Sequence, residues 1–270
     1  MTYQRKAFIR VGGQLIDIAH INLTYDAAFT VAINHDHRII KIIVSTILNR
    51  NDFEVTHVRT HAESESFRGR SIGFDCLLEF DDGTLCNVEM QKVMGRMPLK
   101  RMLFHRAKLQ AGYSLKKGER DFNKMKPTIV IILLEGDFFE RGEPLYRISY
   151  HDAFSKEDLE PGQGIYIADI TAKDTSTELG RLMEDINQVN PNLVHNPVFH
   201  DALEMLKSDR GVNLMNDFIE ILSEEEAKAS EEQGRRKELL SLYRDGVISK
   251  EEAAKRLNIS VNEFLSLVEE

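Results

Sequence analysis

Two carboxylates and an amide lie on the arms of one short hairpin, GFDCLLEF-DDG-TLCNVEMQ, which runs from Gly73 to Gln91. Asp75 is on the first arm; Glu89 and Gln91 are on the second. Asp81-Asp82-Gly83 suits a three-residue loop in which Gly83 takes the left-handed conformation. If Phe80 pairs with Thr84, every couple in the ladder sums to 164 in residue number, and Asp75 stands opposite Glu89. Opposed residues share a face of the sheet. Asp75, Glu89 and Gln91 then point together, and Phe74, Cys76, Leu78, Phe80, Cys86, Val88 and Met90 make the other, apolar face.

Two facing carboxylates repel unless a positive charge sits between them. A hard divalent cation supplies that charge, because Mg²⁺ takes carboxylate, carbonyl and water oxygens and keeps positions open for a substrate phosphate. The expected ligands are Asp75, Glu89 and the main-chain carbonyl of Met90, with Mn²⁺ or Ca²⁺ as alternative occupants. Gln91 has no titratable proton, so it can orient an attacking water but cannot deprotonate it. The metal would have to lower the pKa of that water.

The spacing D-x13-E-x-Q on a hairpin, followed by a basic helix, resembles the PD-(D/E)XK nuclease superfamily, with Gln91 where lysine usually stands. Leu23-Thr-Tyr-Asp-Ala-Ala-Phe29, GFDCLLEFDDG, NVEMQ, KRMLFHRAKLQAGYSLKKG and the strand TIVIILLE resemble, more narrowly, the Rpn family of recombination-promoting nucleases and transposase-like proteins. The likeness covers roughly residues 20 to 175, and VEMQ and the Arg101 helix are its most specific parts. It implies a restriction-endonuclease-like core that hydrolyses DNA phosphodiesters with Mg²⁺, in a family tied to recombination and mobile elements. Position by position, it makes Asp75 and Glu89 the metal-binding acids, Gln91 the third catalytic position and Asp26 the acid of the first core helix. Gln91 departs from the lysine of many superfamily members. The alternative function is therefore a catalytically inactive nucleic-acid-binding or regulatory interaction protein.

The elements that must position these groups can be read along the chain. From Tyr25, the spacing of Phe29, Ile33, Ile39, Ile40, Ile43, Val44 and Ile47 predicts helical packing interrupted near residues 34–37. Glu54 to Thr60 is a candidate strand, and residues 1 to 20 show little periodicity. Pro98 suits the first turn of a helix running to about Leu115, before Gly118. On it, Leu99, Met102, Leu103, Ala107, Gln110, Ala111 and Ser114 form the predicted inner stripe, with Lys100, Arg101, Phe104, His105 and Lys108 beside or opposite it. Thr128 to Leu134 reads as a strand covered on both faces, and Tyr146 to Tyr150 and Ile165 to Ile170 as shorter strands. The alternation predicts an α/β fold, a mixed sheet flanked by helices. Residues 1–190 form the expected nuclease-like domain and 191–270 a small all-helical region. In that region Ser249/Glu252 and Ser260/Glu263 are capping boxes with helix-turn-helix spacing.

At 270 residues the chain can build a sizeable core, and a net charge of -9 argues against general nucleic-acid affinity. The distribution qualifies this: Glu89 to Lys126 holds eleven basic residues against three acids, a local charge of +8. Lys92, Lys100, Arg101 and Lys108, with Arg68 and Arg70 before the hairpin, are the candidate DNA contacts. The C-terminal segment balances acids and bases, which favours a packing or self-association module, hence a homo-oligomer, over DNA reading. Cys76 and Cys86 do not oppose one another in the proposed register, so no disulfide is expected. The histidines lack zinc or general-base motifs and read as ordinary surface or core residues. No leader-like or membrane-spanning apolar run occurs, which makes a cytoplasmic protein with no membrane partner the expectation.

Overall fold

The polar edge strand Val55–Glu63 (β3), the hairpin strands Gly73–Phe80 (β4) and Leu85–Gln91 (β5) with their alternating apolar positions, and the unbroken apolar run Thr128–Leu134 (β6) belong to one mixed sheet. Leu145–Ile148 (β7) and Gly164–Asp169 (β8) complete it in the order β3-β4-β5-β6-β8-β7. Pairing is antiparallel for β3-β4, β4-β5 and β7-β8, and parallel for β5-β6 and β6-β8. The computed structural model describes residues 8–11, 14–63, 73–92, 98–116 and 118–269. Phe8–Val11 (β1) and Gln14–Asp17 (β2) pair as a separate antiparallel hairpin, where the sequence shows no useful periodicity. Such short strands carry too few residues for alternation to stand out.

Every residue of β6 is buried, as expected of a strand covered on both faces. On one face lies Leu99–Tyr113 (α3), whose Met102 and Leu109 pack with Leu77, Leu85, Val130 and Ile132. The buried stripe of α3 differs from the expected one. Met102, His105, Arg106 and Leu109 turn inward, while Leu103 and Phe104 are 42% exposed and Ala107 is exposed. Two polar side chains go in because acidic partners wait for them: His105 faces Glu89, and Arg106 pairs with Glu160.

The interruption expected near residue 35 separates Asp26–His35 (α1) from Arg38–Leu48 (α2). Asp36 sits in the break, where its Oδ1 accepts from the Arg38 main-chain N–H at 2.9 Å. Helix α2 buries Ile39, Ile40, Ile43, Val44 and Ile47, one face at helical spacing. Glu178–Asn187 (α4) is capped by Thr177, whose Oγ1 accepts from the Gly180 N–H at 2.9 Å, and Pro197–Lys207 (α5) by Asn196. Because α5 packs on α1 and α2, the chain divides at Asn216/Asp217 and not at residue 190.

The division falls within Asp209–Arg244 (α6). In the second unit, Lys250–Leu257 (α7) and Val261–Glu269 (α8) bury Ala253, Ala254 and Phe264 with Leu240 and Tyr243 of α6. The Ser260/Glu263 box forms in both directions, whereas at Ser249 only the cap forms, its Oγ accepting from the Glu252 N–H at 3.2 Å while the Glu252 carboxylate turns to Arg256. The preceding helices end at Gly246 and Asn258, both with positive φ. Among the described residues no helix is long and apolar enough to cross a membrane.

Candidate active site

The hairpin adopts the register that sums to 164, from Glu79↔Leu85 to Cys76↔Val88. Phe80 and Thr84 close the turn end through a 2.9 Å hydrogen bond, and Gly83 takes φ 84° as the loop requires. Beyond Cys76↔Val88 the ladder stops, although both strands continue, and β5 keeps its pairing to β6 as far as Gln91↔Leu134. The two arms therefore fork. Phe74, expected with the Cys76 face, instead meets the His105 and Tyr113 rings of α3, which fits a strand leaving its ladder at that point.

Within the fork the two acids replace the missing ladder. Asp75 Oδ2 accepts from the Met90 main-chain N–H at 2.9 Å, and Glu89 Oε1 lies 3.4 Å from the Asp75 main-chain nitrogen as acceptor. In extended backbone, the N–H and C=O of one residue point to the same edge. The Met90 carbonyl is thus turned toward Asp75, into the gap between the arms.

Glu89 is buried, and Asp75 keeps a little surface at the mouth of the fork. Burial, then the Glu89 charge, then Asp26, push the Asp75 carboxyl well above the usual carboxylate range, against the Met90 N–H and the Arg101 charge. A carboxyl raised by a second carboxylate beside it calls for a cation. Two carboxylates and a carbonyl are the oxygen donors a hard divalent ion takes, with water completing its shell. Among the described residues no group of three or more His, Cys, Asp or Glu side chains is arranged to hold a metal, so the ion would depend on this mixed set.

The other expected residues are distributed unevenly around the pair. Gln91 ends β5 half-buried, one strand step past Met90 on the side of Glu89. Asp26 opens α1, half-exposed, with its Oδ1 3.6 Å from His61 Nε2. Lys92 places its Nζ 3.9 Å from the centre of the Tyr25 ring, next to Asp26. Arg101 is exposed on the first turn of α3, close enough for its charge to act on Asp75. Lys100 is exposed on the same turn, and Lys108 lies farther along with its Nζ 5.7 Å from the Phe104 ring centre. Arg68 and Arg70 lie outside the described residues.

The basic run does not gather at the acids as its place in the sequence suggests. Helix α3 runs back along the sheet, and Thr128 of β6 pairs with Leu85, at the turn end of the hairpin. Lys126 accordingly meets Glu79 at 2.5 Å, and Lys124 meets Glu119. Six strand steps separate Leu85 from Gln91, roughly 20 Å. Arg106 is buried and spent on Glu160. Among the described residues of that run, Lys92, Lys100 and Arg101 stand at the end of the sheet where the acids lie, and Lys108 is about two turns farther along α3.

Two residues not singled out by sequence reasoning touch the pair. Asn87 Nδ2 donates to Glu89 Oε1 at 2.7 Å, and His105 Nδ1 approaches the same oxygen at 3.3 Å without hydrogen-bond alignment. Asn87 was within reach of the parity count that placed Glu89 and Gln91 on one face. His105 carried no such signal. The thiols Cys76 and Cys86 are free and buried, and burial pushes both up, with the Asp75 and Glu89 charges adding to the effect on Cys76; neither is a thiolate nucleophile.

No family model, no curated protein and no solved structure matches this chain.

Proposed function

We propose that the chain is a metal-dependent DNA endonuclease with a restriction-endonuclease-like core of the Rpn kind. The observation that carries this reading is the fork: where the hairpin ladder ends, buried Glu89 and part-buried Asp75 each accept from the main chain of the facing arm. A bound Mg²⁺ would polarise the scissile phosphate and lower the pKa of a water near it. Asp75, Glu89 and the Met90 carbonyl would hold the ion. Gln91, half-buried at the end of β5 on the face of Glu89, would orient the attacking water. Lys92 and Arg101 would bind the phosphates on either side.

Supercoiled plasmid incubated with purified protein and Mg²⁺ or Mn²⁺ should be nicked, and Asp75→Ala should abolish the nicking. Wild-type protein that leaves plasmid uncut with every ion, or cuts equally after Asp75→Ala, would refute the proposal.

A second reading, a catalytically silent DNA-binding protein, is favoured by one observation: Gln91 stands where a cationic or proton-transferring side chain would serve the chemistry. It predicts salt-sensitive DNA binding with no metal-dependent cleavage. The C-terminal unit is read as a self-association module, and sedimentation of a chain ending at residue 216 tests that part.

A further inference from the structure

Glu89 is gripped from one side. Its Oε1 accepts from Asn87 Nδ2 at 2.7 Å, lies 3.4 Å from the Asp75 main-chain N–H and 3.3 Å from His105 Nδ1. Among the described residues no hydrogen bond or ion pair engages Oε2. Asn87 is 0% exposed and His105 is 1% exposed, so water does not loosen the arrangement from outside.

Beyond the edge contact of the His105 ring with Phe74, the polar atoms of the two side chains have no other use in the fold. Asn87 Oδ1 and both ring nitrogens of His105 are buried without hydrogen-bond partners. Such groups cost stability relative to apolar residues of the same size. Their shared feature is that both face Oε1. Turning both Glu89 oxygens toward one ion would break the Asn87 bond and strand its amide away from water.

We propose that Asn87 and His105 are positioning residues that fix the Glu89 rotamer and commit Oε2 alone to the cation, making Glu89 a monodentate ligand. The inference rests on the reading of the fork as a metal site. It deepens that reading by assigning the ligand mode and the residues that impose it. Partners of metal ligands typically change affinity 10- to 100-fold when removed, by letting the ligand wander.

The test uses MnCl₂ alone with the full chain, following affinity by calorimetry and carboxylate mode by infrared difference spectra of ¹³C-glutamate-labelled protein. Wild type should bind Mn²⁺ with the wide carboxylate splitting of a monodentate glutamate. Asn87→Ala should weaken binding about 10- to 100-fold and narrow the splitting. His105→Phe should move both readouts the same way, and His105→Gln, which restores an N–H donor, should recover them. Folded Asn87→Ala with wild-type affinity and spectrum would overturn the proposal. So would a chelating glutamate signature in the wild type, a readout that needs no variant to fold. Asp75→Asn separates the two claims. If it titrates like wild type, the fork is not the metal site and both fall; if it alone abolishes binding, only the clamp falls.

Discussion

Replacing Asp75 by Asn should stabilise the metal-free protein. In the wild type the Asp75 carboxyl is enclosed beside Glu89, with Asp26 adding to the repulsion, and its pKa is raised accordingly. A raised carboxyl contributes stability that is fully present below its unfolded-state pKa and is lost as pH rises through its folded-state value. At neutral pH the wild type carries that loss. Asparagine keeps an oxygen for the Met90 N–H, now 2.9 Å from Asp75 Oδ2, and offers an amide hydrogen to Glu89 in place of a second negative charge. Exchanging repulsion for a buried hydrogen bond is worth roughly 1–2 kcal/mol. For a unit of this size that raises Tm by about 2–8 °C. The gain should shrink as pH falls through the raised folded-state value and vanish near about 4, the unfolded-state value of aspartate. Added Mg²⁺ should stabilise the wild type, by about 2.7 kcal/mol at a hundredfold excess over Kd, and leave the variant unmoved. Calorimetric melts of both proteins across pH, with and without Mg²⁺, measure all of this. A variant less stable than wild type at neutral pH, or equally stabilised by Mg²⁺, would refute the reasoning.

Neutralising Lys92 and Arg101 to Gln should lower DNA affinity and reduce the salt slope by up to about 2, whereas Lys116→Gln with Arg120→Gln, at the far end of α3, should change little; binding isotherms over a salt series read both. Gly180→Ala lies in a helix, where alanine normally helps, but its Cβ would fall 1.9 Å from the Asp174 carbonyl oxygen, so denaturant melts should show destabilisation of at least about 2 kcal/mol. Arg106→Met should cost roughly 1–3 kcal/mol by leaving the part-exposed Glu160 unpaired, and adding Glu160→Leu should recover most of it in a double-mutant cycle.

The hairpin was legible because strand parity is rigid: once Gly83 fixed the turn, pairing of Asp75 with Glu89 followed by counting, and the ladder keeps that sum up to the fork. The fork itself was not legible, since nothing in GFDCLL or NVEMQ says where the ladder stops. Helix α3 was misread on its inner face because burial of His105 and Arg106 depends on Glu89 and Glu160, the latter more than fifty residues away in the chain. The basic run misled for a related reason. Sequence adjacency to the acids becomes distance once a helix of fifteen residues carries the chain back down the sheet. The break at Asp36 and the caps at Ser249 and Ser260 were readable because their partners lie within three residues.

The central claim is that the fork binds a divalent cation between Asp75, Glu89 and the Met90 carbonyl. Crystals soaked in Mn²⁺ and measured at its absorption edge test this most directly. The prediction is an anomalous peak within about 2.0–2.6 Å of an oxygen from each of the three, lost in Asp75→Asn crystals. No peak between the arms under saturating Mn²⁺, or one that persists in Asp75→Asn, would contradict it.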